Sequence, residues 1–172
     1  YGDGGAIITN NKELAEKVLA LRVFGGKERD YYEFRGINSR LDIFQAAVLR
    51  IKLKYLDEWS EKRRENAKLY NELLKNSGVI TPSILDNTLS VFHLYVIRAH
   101  QRDRLQKYLK EKGISAIVHY PLPIHLQPAY KELGYKEGDF PETEKASQEI
   151  LSIPIFPELT EKEIKYISQS IM

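Results

Sequence analysis

Asn38 and Arg40 are the first pair of side chains in this 172-residue sequence that could bind a ligand. They come immediately before a long helical pattern. The N-terminal end of a helix has unpaired N–H groups and a partial positive charge, which stabilise a nearby anion by roughly 0.3–1 kcal/mol. An amide and a guanidinium added there predict a phosphate or carboxylate site. The alternative is that Asn38 shapes a turn and Arg40 forms a surface ion pair.

The second candidate is the proline-punctuated stretch "HYPLPIHLQP", in which His119 and His125 lie six residues apart. Prolines restrict the backbone, so such a loop can hold a recognition surface at a low entropy cost. The spacing is equally compatible with histidines that converge on a ligand and with histidines that do not. No carboxylate recurs nearby at metal-ligand spacing, so no metal site is predicted. His93 is expected in a core or cross-strand position, and His100 at an exposed corner.

Composition excludes several classes of protein. The 26 basic and 24 acidic residues are well mixed and give a net charge of +2, which argues against a nucleic-acid or membrane-surface partner. The absence of cysteine excludes disulfides, thiolate metal sites and cysteine nucleophiles. No apolar run approaches the roughly 18 residues that would span a bilayer. A cytoplasmic enzyme or binding protein is expected.

The first 40 residues predict a strand, a helix and an ordered loop. Residues 2–5 read as a glycine-rich turn, and residues 6–9 as a short apolar strand. A turn that leads into a buried strand is typical of the middle of a domain, so we expect the chain to be a piece of a longer protein. Asn10 or Asn11 can cap a helix that stops before Gly25. The charged and aromatic stretch that follows is expected to be an ordered surface loop.

A long helix is the strongest local prediction. Ser39 and Asp42 have the spacing of a capping box, and no proline or glycine occurs from Leu41 to about Lys75. A helix of about 35 residues is some 50 Å long. It is therefore expected to connect two domains or to pack against a second subunit.

Beyond Pro82 the pattern changes to an α/β unit. The segments "SVFHLYVIR" and "ISAIVHY" predict strands, with the helical "QRDRLQKYLKEKG" between them. Pro141 is expected in the first turn of a further helix. "SIPIF" predicts an edge strand, and a capping box formed by Thr160 and Glu163 predicts a terminal amphipathic helix.

Five blocks together resemble one protein family: "GDGGAIIT", "RGINSRLDIFQAAVL", "FHLYVIR", "HYPLPIHLQPAY" and "LSIPIFPELTEKEI". Their order and content are similar to the DegT/DnrJ/EryC1/StrS family, pyridoxal-phosphate-dependent aminotransferases that act mostly on nucleotide-linked keto-sugars. The resemblance implies an α/β fold, the C-terminal part of a fold type I aminotransferase. It also implies a homodimer with shared active sites, and glutamate as the amino donor.

The resemblance also divides the chain. Residues 1–40 would be a remnant of the large cofactor domain, residues 41–77 the long connecting helix, and residues 78–172 the small C-terminal α/β domain. The lysine that forms the Schiff base is expected upstream of Tyr1. No residue of this chain is therefore assigned as catalytic, and the chain alone is expected to be inactive.

Family roles transfer to six positions of this chain. Asn38 is similar to the asparagine that reaches the partner's cofactor phosphate, and Arg40 to a neighbouring arginine that binds anionic cofactor or substrate. The residues expected to line the nucleotide-sugar site are Tyr32, His119, Tyr120 and His125. Three alternatives stay open: a pyridoxal-phosphate-dependent sugar dehydratase, a regulatory protein that retains the fold, and a binding module that uses the histidine-containing loop.

Overall fold

The computed structural model describes Gly2 and residues 4–172. The turn predicted for residues 2–5 includes Asp3, which lies outside the described residues. In chain order the α-helices are α1 Lys12–Leu21, α2 Ile43–Lys52, α3 Leu56–Leu74, α4 Arg102–Glu111, α5 Pro141–Glu149 and α6 Glu161–Ile171. The strands are β1 Gly26–Glu28, β2 Tyr31–Tyr32, β3 Tyr95–Arg98 and β4 Ile150–Ile153, and 3-10 turns occur at Leu53–Tyr55, Ile124–Leu126 and Pro128–Leu133. The chain divides into two units, Tyr1–Leu56 and Asp57–Met172.

Helix α1 begins as its sequence predicts, because Asn11 accepts a hydrogen bond from the Leu14 N–H at 3.0 Å. The strand predicted for residues 6–9 is wrong. Ile7 and Ile8 are 67% and 96% exposed and lie outside any strand. A strand requires a neighbouring segment that satisfies its backbone groups, and the described part of the chain offers none to these residues.

The loop after α1 is closed at its base by backbone contacts. The N–H of Phe24 donates to Ile37 O at 3.0 Å, and the N–H of Ile37 donates to Leu21 O at 2.9 Å. A Cβ atom on Gly36 would lie 2.2 Å from the Gly25 nitrogen, so a side chain at Gly36 would collide with backbone. Strands β1 and β2 pair within the closed loop. The ordered surface loop predicted from the sequence is confirmed.

The predicted helix over residues 41–77 is not one regular α-helix. A 3-10 turn at Leu53–Tyr55 separates α2 from α3. The sequence pattern did not reveal this turn. Three residues are too few for the spacing of apolar side chains to distinguish 3.0 from 3.6 residues per turn. The predicted domain boundaries remain a prediction.

The capping box at the start of α2 was predicted three residues too early. Asp42 is the N-cap, and its N–H donates to the Gln45 side chain at 3.2 Å. Ser39 cannot take the capping role, since its N–H donates to Arg22 O at 2.9 Å and holds it in the base of the loop.

Strand β4 is the central element of the second unit. It pairs antiparallel with β3, in a register that places Tyr95 opposite Ile153. On its other side Ser152 exchanges two backbone hydrogen bonds with Ile117, at 2.8 and 3.0 Å. The prediction of an edge strand here is therefore wrong. Pro154 falls just after the last paired residue, where its missing N–H costs no ladder hydrogen bond.

Helices cover this sheet with apolar side chains. Tyr70 on α3 is fully buried, and its hydroxyl donates to Pro154 O at 2.9 Å. Helix α6 begins at the predicted capping box of Thr160 and Glu163 and buries one face. The fully or almost fully buried core residues are Ala67, Tyr70, Leu74, Tyr95, Ile97, Leu109, Leu151, Ile153 and Ile164. Within the described residues, no helix is both long enough and apolar enough to cross a membrane.

Candidate functional site

Asn38 and Arg40, which we call the anion pair, are linked to each other and exposed. The Arg40 Nε–H donates to Asn38 Oδ1 at 3.0 Å. The backbone of Asn38 forms a bridge with Val23, so the base of the closed loop fixes its position. The hydrogen bond leaves the amide NH₂ of Asn38 and the terminal NH₂ groups of Arg40 as donors. No carboxylate in the described part of the chain forms an ion pair with Arg40. The terminal NH₂ groups of its guanidinium are therefore available to bind an oxyanion.

The helix end adds less to this site than the sequence suggested. Helix α2 begins at Ile43, and Asp42 caps it together with Gln45. A carboxylate of the chain therefore already lies at the positive end of the helix dipole, where a bound anion would compete with it. The expected anion affinity rests on the two side chains, not on the helix N-terminus.

Tyr32 lies on the hairpin that the closed loop contains. It is 59% exposed and faces Gly26 across the two strands. A Cβ atom at Gly26 would lie 3.3 Å from the Tyr32 ring, so the glycine makes room for the ring. On the same hairpin Lys27 pairs with Glu33 at 2.7 Å, and this carboxylate raises the pKa of Lys27. The hairpin thus presents a tyrosine ring on a structured turn.

Residues 119–127, which we call the histidine loop, begin beside strand β4. His119 Nδ1 shares a hydrogen bond of 2.9 Å with the Ser152 hydroxyl. Its ring also contacts that of Tyr120 edge to face, with 5.5 Å between the centroids. The Tyr120 side chain is 71% exposed, which leaves its ring and hydroxyl available to a ligand.

His125 is held at the other end of the histidine loop. Its side chain is only 8% exposed, and Nε2 lies 3.0 Å from Glu144 Oε1. The Glu144 carboxylate also accepts hydrogen bonds from the Gly138 N–H at 2.9 Å and the Phe140 N–H at 3.2 Å. These donors, the Gly138 N–H first and with His125 adding to them, lower the pKa of Glu144. Each of the two histidines of the loop is therefore bonded to another residue of the second unit.

Sequence reasoning missed Ser152 and Glu144, the partners of the two histidines. Ser152 is 33 residues from His119, and Glu144 is 19 residues from His125. No spacing rule links residues so far apart, and Glu144 alone resembles an ordinary acidic residue in the first turn of a helix. His100 is exposed as predicted. His93 is exposed and lies before strand β3, so the core or cross-strand position predicted for it is wrong.

A depression of about 680 Å³ lies beside helix α4. Its lining includes Asp103, Lys107 and Lys110 and the turn at residues 113–116. None of the six predicted site residues contributes to it. Among the described residues, no group of three histidine, aspartate or glutamate side chains is arranged to hold a metal ion. The predicted site residues thus fall into two groups that are described separately: the anion pair and Tyr32 belong to the first unit, and the histidine loop belongs to the second.

Comparison with known proteins identifies the family. The model of the DegT/DnrJ/EryC1/StrS aminotransferase family matches residues 1–172. The chain belongs to this family.

Two curated relatives within the DegT/DnrJ/EryC1/StrS family illustrate its range of named roles. The chain is 52% identical over 174 residues to the "Pleiotropic regulatory protein" of Geobacillus stearothermophilus, covering 99% of the chain and 47% of that protein. It is 42% identical over 168 residues to the dTDP-3-amino-3,6-dideoxy-alpha-D-galactopyranose transaminase of Aneurinibacillus thermoaerophilus, covering 98% of the chain and 46% of that protein. The chain thus spans about half the length of these relatives.

Similarity to a solved structure supports the fold. DesV of S. venezuelae, crystallised in complex with a ketimine intermediate, has a TM-score of 0.88 and 38% sequence identity. The alignment covers 95% of the present chain and 44% of DesV. The predicted fold class, the α/β C-terminal part of a fold type I aminotransferase, is confirmed.

Proposed function

We propose that the protein to which this chain belongs is a pyridoxal-phosphate-dependent aminotransferase that aminates a nucleotide-linked keto-sugar. The observation that carries the proposal is the match over 98% of the chain to a nucleotide-sugar transaminase. Glutamate as amino donor, a homodimer with shared active sites and a cytoplasmic location complete the proposal. The regulatory alternative is supported by the name of the relative at 52% identity, and none of the relatives described above is named a dehydratase. Transamination has more support, because several relatives at 38–42% identity are named transaminases or aminotransferases.

The donors of the anion pair fit the phosphate of the cofactor. A phosphate monoester accepts several hydrogen bonds, and the pair offers an amide NH₂ and a guanidinium whose Nε is already oriented by Asn38. Because a guanidinium is a planar cation that matches phosphate geometry, the pair can bind the phosphate group of the cofactor. Bound pyridoxal phosphate supplies an electron sink for amino transfer.

The remaining predicted site residues contribute recognition of the sugar nucleotide. Tyr32 and Tyr120 present exposed rings that can pack on a sugar or base face and hydroxyls that can donate to ring oxygens. His119, oriented by Ser152, can present its second ring nitrogen to a ligand that contacts Tyr120. His125 is proposed to belong to this recognition surface through the loop that it holds, because its own side chain is buried.

Substitution of Asn38 tests the cofactor role. In the intact protein, Asn38→Ala removes one phosphate donor and frees the Arg40 side chain from its orienting partner. We expect the dissociation constant of pyridoxal phosphate, measured by equilibrium dialysis, to rise about tenfold or more. Asn10→Ala is the matched control, because Asn10 is exposed and lies before α1. Equal cofactor affinity in the two variants would contradict the phosphate role.

The reaction itself separates the proposal from its alternatives. The intact protein is incubated with glutamate and a nucleotide-linked keto-sugar, and the products are analysed by mass spectrometry. An amino-sugar nucleotide formed together with 2-oxoglutarate supports transamination. A product that has lost water without gaining nitrogen would support the dehydratase, and no turnover of either kind would favour the regulatory alternative.

A further inference from the structure

The histidine loop is anchored at both of its ends and exposed between them. At the first end His119 bonds Ser152 on strand β4, and at the second His125 bonds Glu144 on helix α5. Between these anchors Tyr120 is 71% and Ile124 is 71% exposed. The two imidazoles therefore hold the loop in place, and the exposed side chains between them are available to a ligand.

The second anchor is the more completely bonded of the two. Glu144 Oε1 receives hydrogen bonds from His125 and the Phe140 N–H, and both carboxylate oxygens lie 2.9 Å from the Gly138 nitrogen. The His125 ring also packs on the Phe140 ring, with 4.8 Å between the centroids. One carboxylate thus joins three segments: the histidine loop, the turn before α5 and α5 itself.

The chemistry of this contact fixes the state of the imidazole. An ionised carboxylate can only accept hydrogen bonds, so the proton of the contact lies on His125 Nε2. Glu144 accordingly determines both the orientation and the tautomer of His125. A carboxylate that accepts a hydrogen bond from a histidine ring N–H commonly has this effect. With a side chain only 8% exposed, His125 has little surface left for a substrate.

We propose that Glu144 is a positioning residue of the nucleotide-sugar site: acting through His125, it fixes the histidine loop so that Tyr120 is presented in one conformation. This inference rests on the proposed function. It assigns His125 the role of an anchor and leaves the direct contact with substrate to Tyr120. Binding residues held in place before the substrate arrives avoid an entropy cost, so loss of the anchor weakens recognition of the sugar nucleotide specifically.

The test compares Glu144→Gln with Glu142→Gln in the intact protein. Glu142 lies in the same first turn of α5 and is exposed, so its substitution changes the charge equally without touching the anchor. For Glu144→Gln we expect the KM for the nucleotide-linked keto-sugar to rise about tenfold, with the KM for glutamate and the retention of cofactor unchanged. Glu142→Gln is expected to keep all three values.

A second pair of variants keeps the inference testable should Glu144→Gln fold poorly. His125→Leu is expected to raise the KM for the nucleotide-linked keto-sugar. His125→Gln is expected to raise it much less, because the Gln side chain has an N–H that can donate to Glu144. Protection of the Gly138 and Phe140 amides against hydrogen exchange reports the anchor without any turnover. It should fall about tenfold in Glu144→Gln and stay unchanged in Glu142→Gln.

The outcomes separate this inference from the proposed function. An active Glu144→Gln variant with an unchanged KM for the sugar nucleotide overturns the inference alone. An equal rise in the KM for both substrates would indicate general damage and also overturns it. No amino transfer by the unsubstituted protein overturns the proposed function, and the inference with it.

Discussion

At the scale of single residues, hydroxyl, carboxylate and carbonyl groups that are distant in sequence orient the side chains of the predicted site and of the core. Ser152 and Glu144 do this for the two histidines, and Pro154 O does so for the buried Tyr70. Burial is the main cause that raises the pKa of Tyr70, so this phenol stays neutral and remains a donor. In each case a polar atom that is screened from water has a specific partner, as buried polar groups require.

Tyr70→Phe is the residue-scale prediction. The substitution keeps the ring and its contact with Tyr95, at 5.0 Å between centroids, but leaves the Pro154 carbonyl without its donor. We expect the free energy of unfolding, measured by urea denaturation, to fall by about 1–3 kcal/mol. Tyr130→Phe is the control, since the Tyr130 side chain is 45% exposed. Similar losses in both variants would mean that the Pro154 contact does not stabilise the fold.

Acid sensitivity follows from the pKa of Glu144. Its hydrogen bonds lower this pKa from the usual 4.5, so the folded state favours the ionised carboxylate. The stabilisation that the ionised Glu144 carboxylate contributes is therefore complete above pH 4.5. It is lost as the pH falls through the lowered pKa of the folded state. We expect unfolding midpoints recorded between pH 7 and pH 3 to fall less steeply for Glu144→Gln than for the unsubstituted protein. Parallel curves would contradict a role for this carboxylate in acid stability.

At the scale of elements, helix caps could be predicted from the sequence, whereas hydrogen bonds between distant segments of the chain could not. Asn11, Pro141 and the Thr160–Glu163 box begin their helices as predicted, because a helix cap depends on residues within four positions. The Ser39 cap failed because a backbone hydrogen bond to Arg22, 17 positions away, decided the local conformation.

The strands of the sheet show the same limit. The edge position predicted for "SIPIF" failed because Ile117 supplies a partner to the free side of β4. Within the candidate site, the residue types of the anion pair were readable from the sequence. The anchoring of His125 was not, since its partner comes from a helix 19 residues further along the chain.

Gly36→Ala is the element-scale prediction. A methyl group at Gly36 would approach the Gly25 nitrogen to 2.2 Å and Leu21 O to 2.5 Å, and backbone cannot yield as a side chain can. We expect the local stability of the loop base, measured by hydrogen exchange of the Phe24 and Ile37 amides, to fall by about 1–3 kcal/mol. Gly5→Ala is the control, because a Cβ atom there would meet no described atom within 4 Å. Unaltered exchange in Gly36→Ala would contradict the close approach.

At the scale of the whole molecule, the first unit exposes an apolar surface on α2. Ile43, Phe44 and Ile51 are 86%, 87% and 61% exposed. Phe44 and Ile51 are seven residues apart and so lie on one face of the helix. Large apolar side chains grouped in this way are typical of an interface with another polypeptide. The surface supports the proposed homodimer.

Phe44→Asp is the prediction at this scale. A charge in the apolar part of an interface would be buried without a partner, so the dissociation constant of the proposed dimer should rise at least about tenfold. Analytical ultracentrifugation of the intact protein measures it. Leu89→Asp makes the same kind of change at a leucine that is 84% exposed in the second unit, and it should leave assembly unchanged. A Phe44→Asp protein that assembles like the unsubstituted one would contradict this interface.

The close approach of Gly25 and Gly36 has a consequence for how relatives can diverge. The backbone hydrogen bonds that join Phe24 to Ile37, Ile37 to Leu21 and Ser39 to Arg22 lie at the base of the loop, outside the ten residues between the glycines. Changes of length or of side chains in these ten residues leave the hydrogen bond between Arg22 and Ser39 in place. They therefore leave the position of Asn38 unchanged. The tip that carries Tyr32, which we propose contacts the sugar nucleotide, can therefore vary between relatives while the anion pair, which we propose binds phosphate, keeps its position.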